Sequence, residues 1–163
     1  MLSLNFRRAL KGITLDVALD APGGEVTAVF GPSGVGKSSI INILCGDLDA
    51  DEGRAALGDT VLFDTPSGHG LAPDARGERQ WGALARAVLS GPRVLLLDEP
   101  FSALDVALRE AVMDAVLAAG REMSVPARLV SHSVIEIKRL AASVHVLEEG
   151  RIKASGTPDT VLP

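Results

Sequence analysis

Two short stretches of this chain carry residue types that could act on a phosphate. The first is Gly31-Pro32-Ser33-Gly34-Val35-Gly36-Lys37-Ser38, set between the apolar run Val26–Phe30 and Ser39-Ile40-Ile41-Asn42-Ile43-Leu44. The run before it predicts a strand and the stretch after it a helix, the context that a G-x-x-x-x-G-K-S/T phosphate loop requires. Its glycines let successive backbone N–H groups turn inward as an anion nest, and the helix aims its positive end at the same place. The candidate nucleotide-binding residues are therefore Gly31, Pro32, Ser33, Gly34, Val35, Gly36, Lys37, Ser38 and Ser39. Lys37 would reach the terminal phosphates, and the Ser38 hydroxyl would help to hold Mg²⁺.

The second stretch is Val94-Leu95-Leu96-Leu97-Asp98-Glu99. It places two acids at the C-terminal end of a buried strand, where open α/β sheets bind their ligands. Asp98 would bind Mg²⁺, directly or through water. Glu99, one residue on, is placed to orient or deprotonate an attacking water.

The elements that must position these residues are legible in outline. The chain has 163 residues, enough for one domain with a sizeable core, and its 47% apolar and 23% charged content is that of a globular protein. Net charge is −5 with scattered basic residues, which gives no nucleic-acid footprint. The single cysteine, Cys45, lies in an apolar helical stretch and reads as a packing residue. No apolar run is long enough to span a bilayer, and the order of residues at Met1 to Arg8 is wrong for a signal peptide. A cytoplasmic location is the expectation, with any membrane link made through a partner.

Leu2, Leu4 and Phe6 alternate with polar residues, as do Ile13, Leu15, Val17 and Leu19, so an antiparallel layer opens the chain. The phosphate-loop helix is expected to run to about Leu48, followed by an acidic loop over Asp49 to Gly53. Arg54 to Leu57 and Thr60 to Phe63 predict a hairpin around Gly58-Asp59. Asp64 to Gly77 reads as loop, and Glu78 to Ser90 as a helix stopped by Gly91-Pro92. Leu104, Leu108, Ala111, Val112, Ala115, Val116 and Ala119 recur at helical spacing, with Gly120 expected to close that helix. Leu129-Val130, Val144 to Leu147 and Ile152 to Ala154 predict strands, and Val134 to Leu140 a helix. The fold class is α/β, a mostly parallel, doubly wound sheet flanked by helices, with an N-terminal antiparallel layer.

On these residues the chain resembles the ATP-binding subunits of ABC transporters, P-loop NTPases. Asp98-Glu99-Pro100-Phe101-Ser102-Ala103-Leu104-Asp105 is similar to that family's Walker B strand and D-loop, D-E-P-x-x-x-L-D. The D-loop positions are Ser102, Ala103, Leu104 and Asp105. Val130-Ser131-His132-Ser133 resembles the switch histidine, which implies that His132 contacts the γ-phosphate and attacking water. Glu148-Glu149-Gly150-Arg151-Ile152 resembles the closing hairpin, whereas His69 and His145 have no such context. Within the family the likeness is greatest to molybdate importers, carried by Leu2-Ser3-Leu4-Asn5-Phe6, Val61-Leu62-Phe63-Asp64, Leu71-Ala72-Pro73 and the Ser-His-Ser switch. The resemblance implies ATP and Mg²⁺ as cofactors, Glu99 and His132 as catalytic residues, a homodimer, and a membrane-spanning permease partner at the inner face of the membrane.

The departures from the family are concentrated. Lys37 and Asp98 enclose a segment much shorter than the family's, which normally holds an edge strand, the Q-loop glutamine, a helical subdomain and the L-S-G-G-Q/E signature. The only glutamine is Gln80, so no separate Q-loop glutamine exists. Gly77 and Glu78 are a signature remnant, but Asp74-Ala75-Arg76 stands where the family has Leu-Ser-Gly, and Trp81 where an Arg is usual. The expectation is a single cassette over residues 1–163, shortened between about 74 and 77, without the helical subdomain. Ala75 lacks the signature hydroxyl and Arg76 is bulky where backbone must approach closely, so phosphate binding should survive better than turnover. The alternative to an importer ATPase is a shortened relic that binds Mg-ATP without turnover. A P-loop kinase fits less well, because of the Asp-Glu pair, the D-loop and the switch His. Phe6 is the only nearby aromatic that could stack adenine, and a core role competes for it.

Overall fold

A computed structural model of the chain describes residues 1–67, 94–124 and 126–163. The alternation at the N-terminus produces two nine-residue strands, β1 (Leu2–Leu10) and β2 (Ile13–Ala21), paired antiparallel from Leu2↔Ala21 to Leu10↔Ile13. Gly12, at φ +90°, supplies the left-handed conformation that so tight a turn requires. Next come β3 (Val26–Phe30), helix α1 (Lys37–Leu44) and the hairpin β4 (Glu52–Leu57) and β5 (Thr60–Asp64). From residue 95 onward come β6 (Leu95–Asp98), α2 (Val106–Met123), β7 (Ala127–Val130), α3 (Val134–Leu140), β8 (Ser143–Glu148), β9 (Arg151–Gly156) and α4 (Pro158–Val161).

Among the described residues the strands form one mixed sheet in the order β5-β4-β1-β2-β9-β8-β3-β7-β6. The parallel part is β8-β3-β7-β6, as the apolar runs predict. The N-terminal antiparallel strands are continuous with it through a single parallel pair, Asp16↔Arg151, and β9 returns antiparallel to β8. Ile40, Ile41, Ile43 and Leu44 of α1 pack with Leu15, Val17, Val29 and Leu147 on one face. Met113 and Val116 of α2 and Ile137 and Leu140 of α3 pack with Val26, Ala28, Leu97 and Leu129 on the other. Both faces of the parallel strands are thereby covered, which is why Leu95 to Leu97 reads as an unbroken apolar run and β3 is interrupted only by Thr27.

Several boundaries differ from the sequence expectation, each for a local reason. Helix α1 ends at Leu44 rather than Leu48, because Gly46 takes φ +74° just past the cap and the chain turns there. Helix α2 runs through Gly120 to Met123 and stops at left-handed Ser124. The cost of one interior glycine, about 1 kcal/mol, is small against the packing of an 18-residue helix. The expected acidic loop is shorter, because β4 begins at Glu52, which pairs with Arg7 in register and through a 3.0 Å ion pair. Gly53 permits this. A Cβ there would lie 2.3 Å from the Asn5 carbonyl oxygen and 2.4 Å from Phe6 Cα, at φ +129°. Asp64 closes β5 instead of opening a loop. The expected Glu78 to Ser90 helix, the shortening between 74 and 77, and the region of the helical subdomain lie outside the described residues.

Candidate functional site

The phosphate-loop segment connects β3 to α1 at the C-terminal end of the parallel strands. Gly34 and Gly36 take φ +81° and +101°, conformations open to glycine and costly for other residues. A Cβ on Gly31 would meet the Leu147 carbonyl oxygen at 2.2 Å, so β8 presses directly on the start of the loop. Gly36 is the N-cap of α1 and offers no side-chain acceptor. Intrahelical bonding begins with the Ile40 N–H donating to the Gly36 carbonyl at 3.2 Å. The N–H groups of Lys37, Ser38 and Ser39 are therefore left with no acceptor inside the helix, and their dipoles sum toward the loop. Lys37 is buried and folds back across the loop, its Nζ donating to the carbonyls of Gly31 at 2.8 Å and Pro32 at 2.9 Å. The Lys37 ammonium and the first N–H groups of α1 thus lie along one loop, an arrangement that suits an anion.

The carboxylates arrive from 60 residues away in sequence. Asp98 ends β6, and its Oδ1 accepts the Ser38 hydroxyl at 3.1 Å. The structure thus brings together the two residues expected to hold Mg²⁺. A hydroxyl and a carboxylate are hard oxygen donors of the kind Mg²⁺ takes, with its remaining positions left to water and phosphate. The pair fits the ion on donor chemistry. Among the described residues, no group of three or more His, Cys, Asp or Glu side chains could form an all-protein metal cage.

Glu99 follows Asp98 in a left-handed conformation at φ +47°. Such a backbone costs of order 1 kcal/mol or more in a residue with a Cβ, and it persists only where the surroundings impose it. Here they do. The Glu99 N–H donates to Val130 at 2.9 Å, and its carbonyl accepts the Ser102 hydroxyl at 3.0 Å and the Ser102 N–H at 3.3 Å. The side chain is consequently aimed at His132, whose Nδ1 lies 2.8 Å from Glu99 Oε2. The imidazole is 65% exposed, so this pair faces solvent at the rim of the site.

The other D-loop positions have visible structural work. Asp105 is the N-cap of α2 and accepts the Leu108 N–H at 2.9 Å. Leu104 is half-buried against the second core cluster, and Ala103 is exposed. Gly77 and Glu78 lie outside the described residues. Phe6 is 1% exposed and meets Phe63 edge to face, with ring centroids 6.3 Å apart. It is a core residue and offers no free face for a base.

Three features escape a reading of the sequence alone. Ser131 and Glu136 are buried beside His132 and hydrogen-bonded to each other. Only the S-x-x-E spacing of Ser133 and Glu136 signals this in the sequence. Arg128, in β7, is fully buried with no hydrogen-bond partner among the described residues for Nε, Nη1 or Nη2. Burial pushes its guanidinium down to about 10, against a weaker opposing pull from Asp20. His145 is half-buried with Nδ1 2.7 Å from the Ser155 hydroxyl, and burial, followed by the Arg128 charge, holds it below the ordinary histidine range.

Comparison with known proteins follows the same lines. Residues 14–69 match the family model described as ABC transporter. The molybdenum import ATP-binding protein ModC of Paramagnetospirillum magneticum is 32% identical over 221 residues, covering 99% of this chain and 61% of that protein. The chain thus spans less than two thirds of the length of that relative. The aligned span is also longer than the 163-residue chain, so the relative carries residues within it that have no counterpart here. In structure, cbiO1 from Clostridium perfringens, part of the ABC transporter complex cbiONQ, superposes with a TM-score of 0.78 at 20% identity, covering 98% of this chain and 89% of that one. The dimeric bacterial ABC transporter cassette MJ0796 gives 0.75 at 17% identity, covering 97% and 99%. The chain is similar in sequence to ATP-binding subunits of ABC transporters and has the fold of their solved cassettes.

Proposed function

We propose that the chain is the ATP-binding and ATP-hydrolysing subunit of an ABC importer for molybdate, working as a homodimer on a membrane-spanning permease at the inner face of the cell membrane. The observation that carries this reading is the meeting of Ser38 with Asp98 and of Glu99 with His132 beside one anion-binding loop. The backbone of Gly31 to Ser39 cradles the phosphates, and Lys37 turns its ammonium from the loop carbonyls to the terminal phosphates. Ser38 and Asp98 would hold Mg²⁺, which would supply neutralisation of phosphate charge. Glu99 orients a water and takes its proton, a contribution of typically 10²–10⁴-fold. His132 fixes the Glu99 carboxylate in line with that water. No helix among the described residues is long and apolar enough to cross a membrane. Molybdate as cargo rests on the relative's name and on the motif likeness at Leu2 to Phe6, Val61 to Asp64, Leu71 to Pro73 and the Ser-His-Ser switch.

A second reading is favoured by the short span between Lys37 and Asp98 and by Asp74-Ala75-Arg76 preceding Gly77. The phosphate cradle is complete, whereas the signature surface that a dimer partner would present is reduced to Gly77 and Glu78. In this reading the chain binds Mg-ATP and does not turn it over. Phosphate release by the wild type and by Glu99→Gln separates the two. Release that falls at least 100-fold in the variant, with ATP retained, supports hydrolysis through Glu99. Release absent from both, with ATP still bound, establishes the binding-only form.

A further inference from the structure

The loop that carries His132 is fastened on both sides by a relay of three hydrogen bonds. Ser131, directly after β7, is fully buried. Its hydroxyl donates to Oε2 of Glu136 at 2.7 Å and accepts the backbone N–H of Ser133 at 3.0 Å. Ser133 is the N-cap of α3, and its own hydroxyl accepts the N–H of Glu136 at 3.4 Å. In an ordinary capping box the glutamate reaches back to the N–H of the cap residue itself. Here the Ser131 hydroxyl is inserted between them. Ser131, Ser133 and Glu136 close a ring, and His132 is the residue enclosed by it.

The ring is costly for what it does for the helix. Glu136 is only 6% exposed, and a buried carboxylate is expensive unless it is paired. Helix α3 has seven residues and is already capped by Ser133, so an apolar residue at 136 would serve its packing at lower cost. What the ring does provide is a fixed backbone on either side of a side chain that is 65% exposed. An imidazole so exposed has no packing to hold it, yet its Nδ1 sits 2.8 Å from Glu99 Oε2. The direction of its Cα–Cβ bond must therefore be set by the loop.

We propose that Glu136, acting through the Ser131 hydroxyl, is a positioning residue that sets His132 against Glu99. The proposal rests on reading the His132–Glu99 pair as a working part of the ATP site. It predicts that Glu136→Met and Ser131→Ala act alike, and that the double variant is no worse than either, because they break one relay. Glu136→Gln keeps an oxygen that can accept from Ser131 and should retain the arrangement.

The test is nuclear magnetic resonance on the full, nucleotide-free chain. In Glu136→Met and Ser131→Ala the Ser133 amide should exchange about tenfold faster, as expected for loss of one ordinary hydrogen bond. The His132 ring nitrogen resonances should move toward those of a Glu99→Ala variant, whereas Glu136→Gln should leave both readings in place. If Glu136→Met does not fold, Ser131→Ala decides alone, since it removes a single oxygen atom. Unchanged His132 ring resonances in folded Ser131→Ala overturn the proposal, because a role confined to capping α3 would not move them. These readings need no nucleotide. They stand or fall separately from ATP hydrolysis, whose absence would count against the proposed function alone.

Discussion

Replacing Arg128 by methionine should make the protein more stable. The guanidinium is fully buried in β7, its three nitrogens have no hydrogen-bond partner among the described residues, and burial lowers its pKa from the ordinary guanidinium value to about 10. At about 1.4 kcal/mol for each pH unit, that displacement corresponds to a folding penalty of about 3 kcal/mol. The sign follows from linkage. The folded state holds this proton less tightly than the unfolded chain, so the penalty is complete below about pH 10 and is relieved only above it. At neutral pH the whole penalty is present. Methionine is similar in length, fills irregular space and carries no charge, and exchanges of this kind stabilise by roughly 1–4 kcal/mol. For a domain of this size about 3 kcal/mol is roughly 6–12 °C in Tm. Urea denaturation at pH 7, with equal slopes for the two proteins, measures the difference directly. A Met variant less stable than wild type by 1 kcal/mol or more would refute the reasoning, because it would mean that the buried guanidinium is satisfied.

The same environment makes His145 a source of acid sensitivity. Its folded-state pKa lies below the ordinary value, so stability should decline as pH falls through about 6.5, and His145→Gln should remove that part of the decline. Equal pH profiles for the two proteins, measured by urea midpoint, would contradict this. Gly53→Ala should destabilise the chain by several kcal/mol, through both the clash with Asn5 and Phe6 and the φ of +129°. It lies outside the phosphate loop, so the folded fraction should bind ATP with unchanged Kd, and a Kd shift above about threefold would show that the β1–β4 pair reaches the site. Gly31→Ala differs, because its Cβ would strike the Leu147 carbonyl. It should lose stability and nucleotide binding together, as denaturation and titration of one preparation would show.

Much of the parallel core was legible because its signals are local. Leu95 to Leu97 is apolar without interruption and Val26 to Phe30 is broken only by Thr27, since helices cover both faces, and the loop after Phe30 announces itself by glycine spacing. The hairpin around Gly58-Asp59 was legible for the same reason. What was hidden depends on partners distant in sequence. Glu52 joins β4 because Arg7 waits opposite, and Gly53 matters because Phe6 passes within reach of its missing Cβ. Gly120, a helix stop by its type, is carried inside α2 by the packing of Met113 and Val116. At the site, Lys37 and Ser38 were readable from spacing alone, whereas the Ser38–Asp98 contact depends on how β6 lies beside β7 and β3. Arg128 gave no warning, because one arginine in a short strand ordinarily points to water.

The central claim is that Gly31 to Ser39 grips the phosphates of ATP with Lys37 as the key cation. Equilibrium titration of the wild type and Lys37→Ala with a fluorescent ATP analogue in Mg²⁺ tests it most directly. The account predicts saturable binding by the wild type and a loss of at least 100-fold in affinity for the variant, about 3 kcal/mol at one buried charge-assisted contact. Equal affinity for the two proteins, both folded, would contradict it.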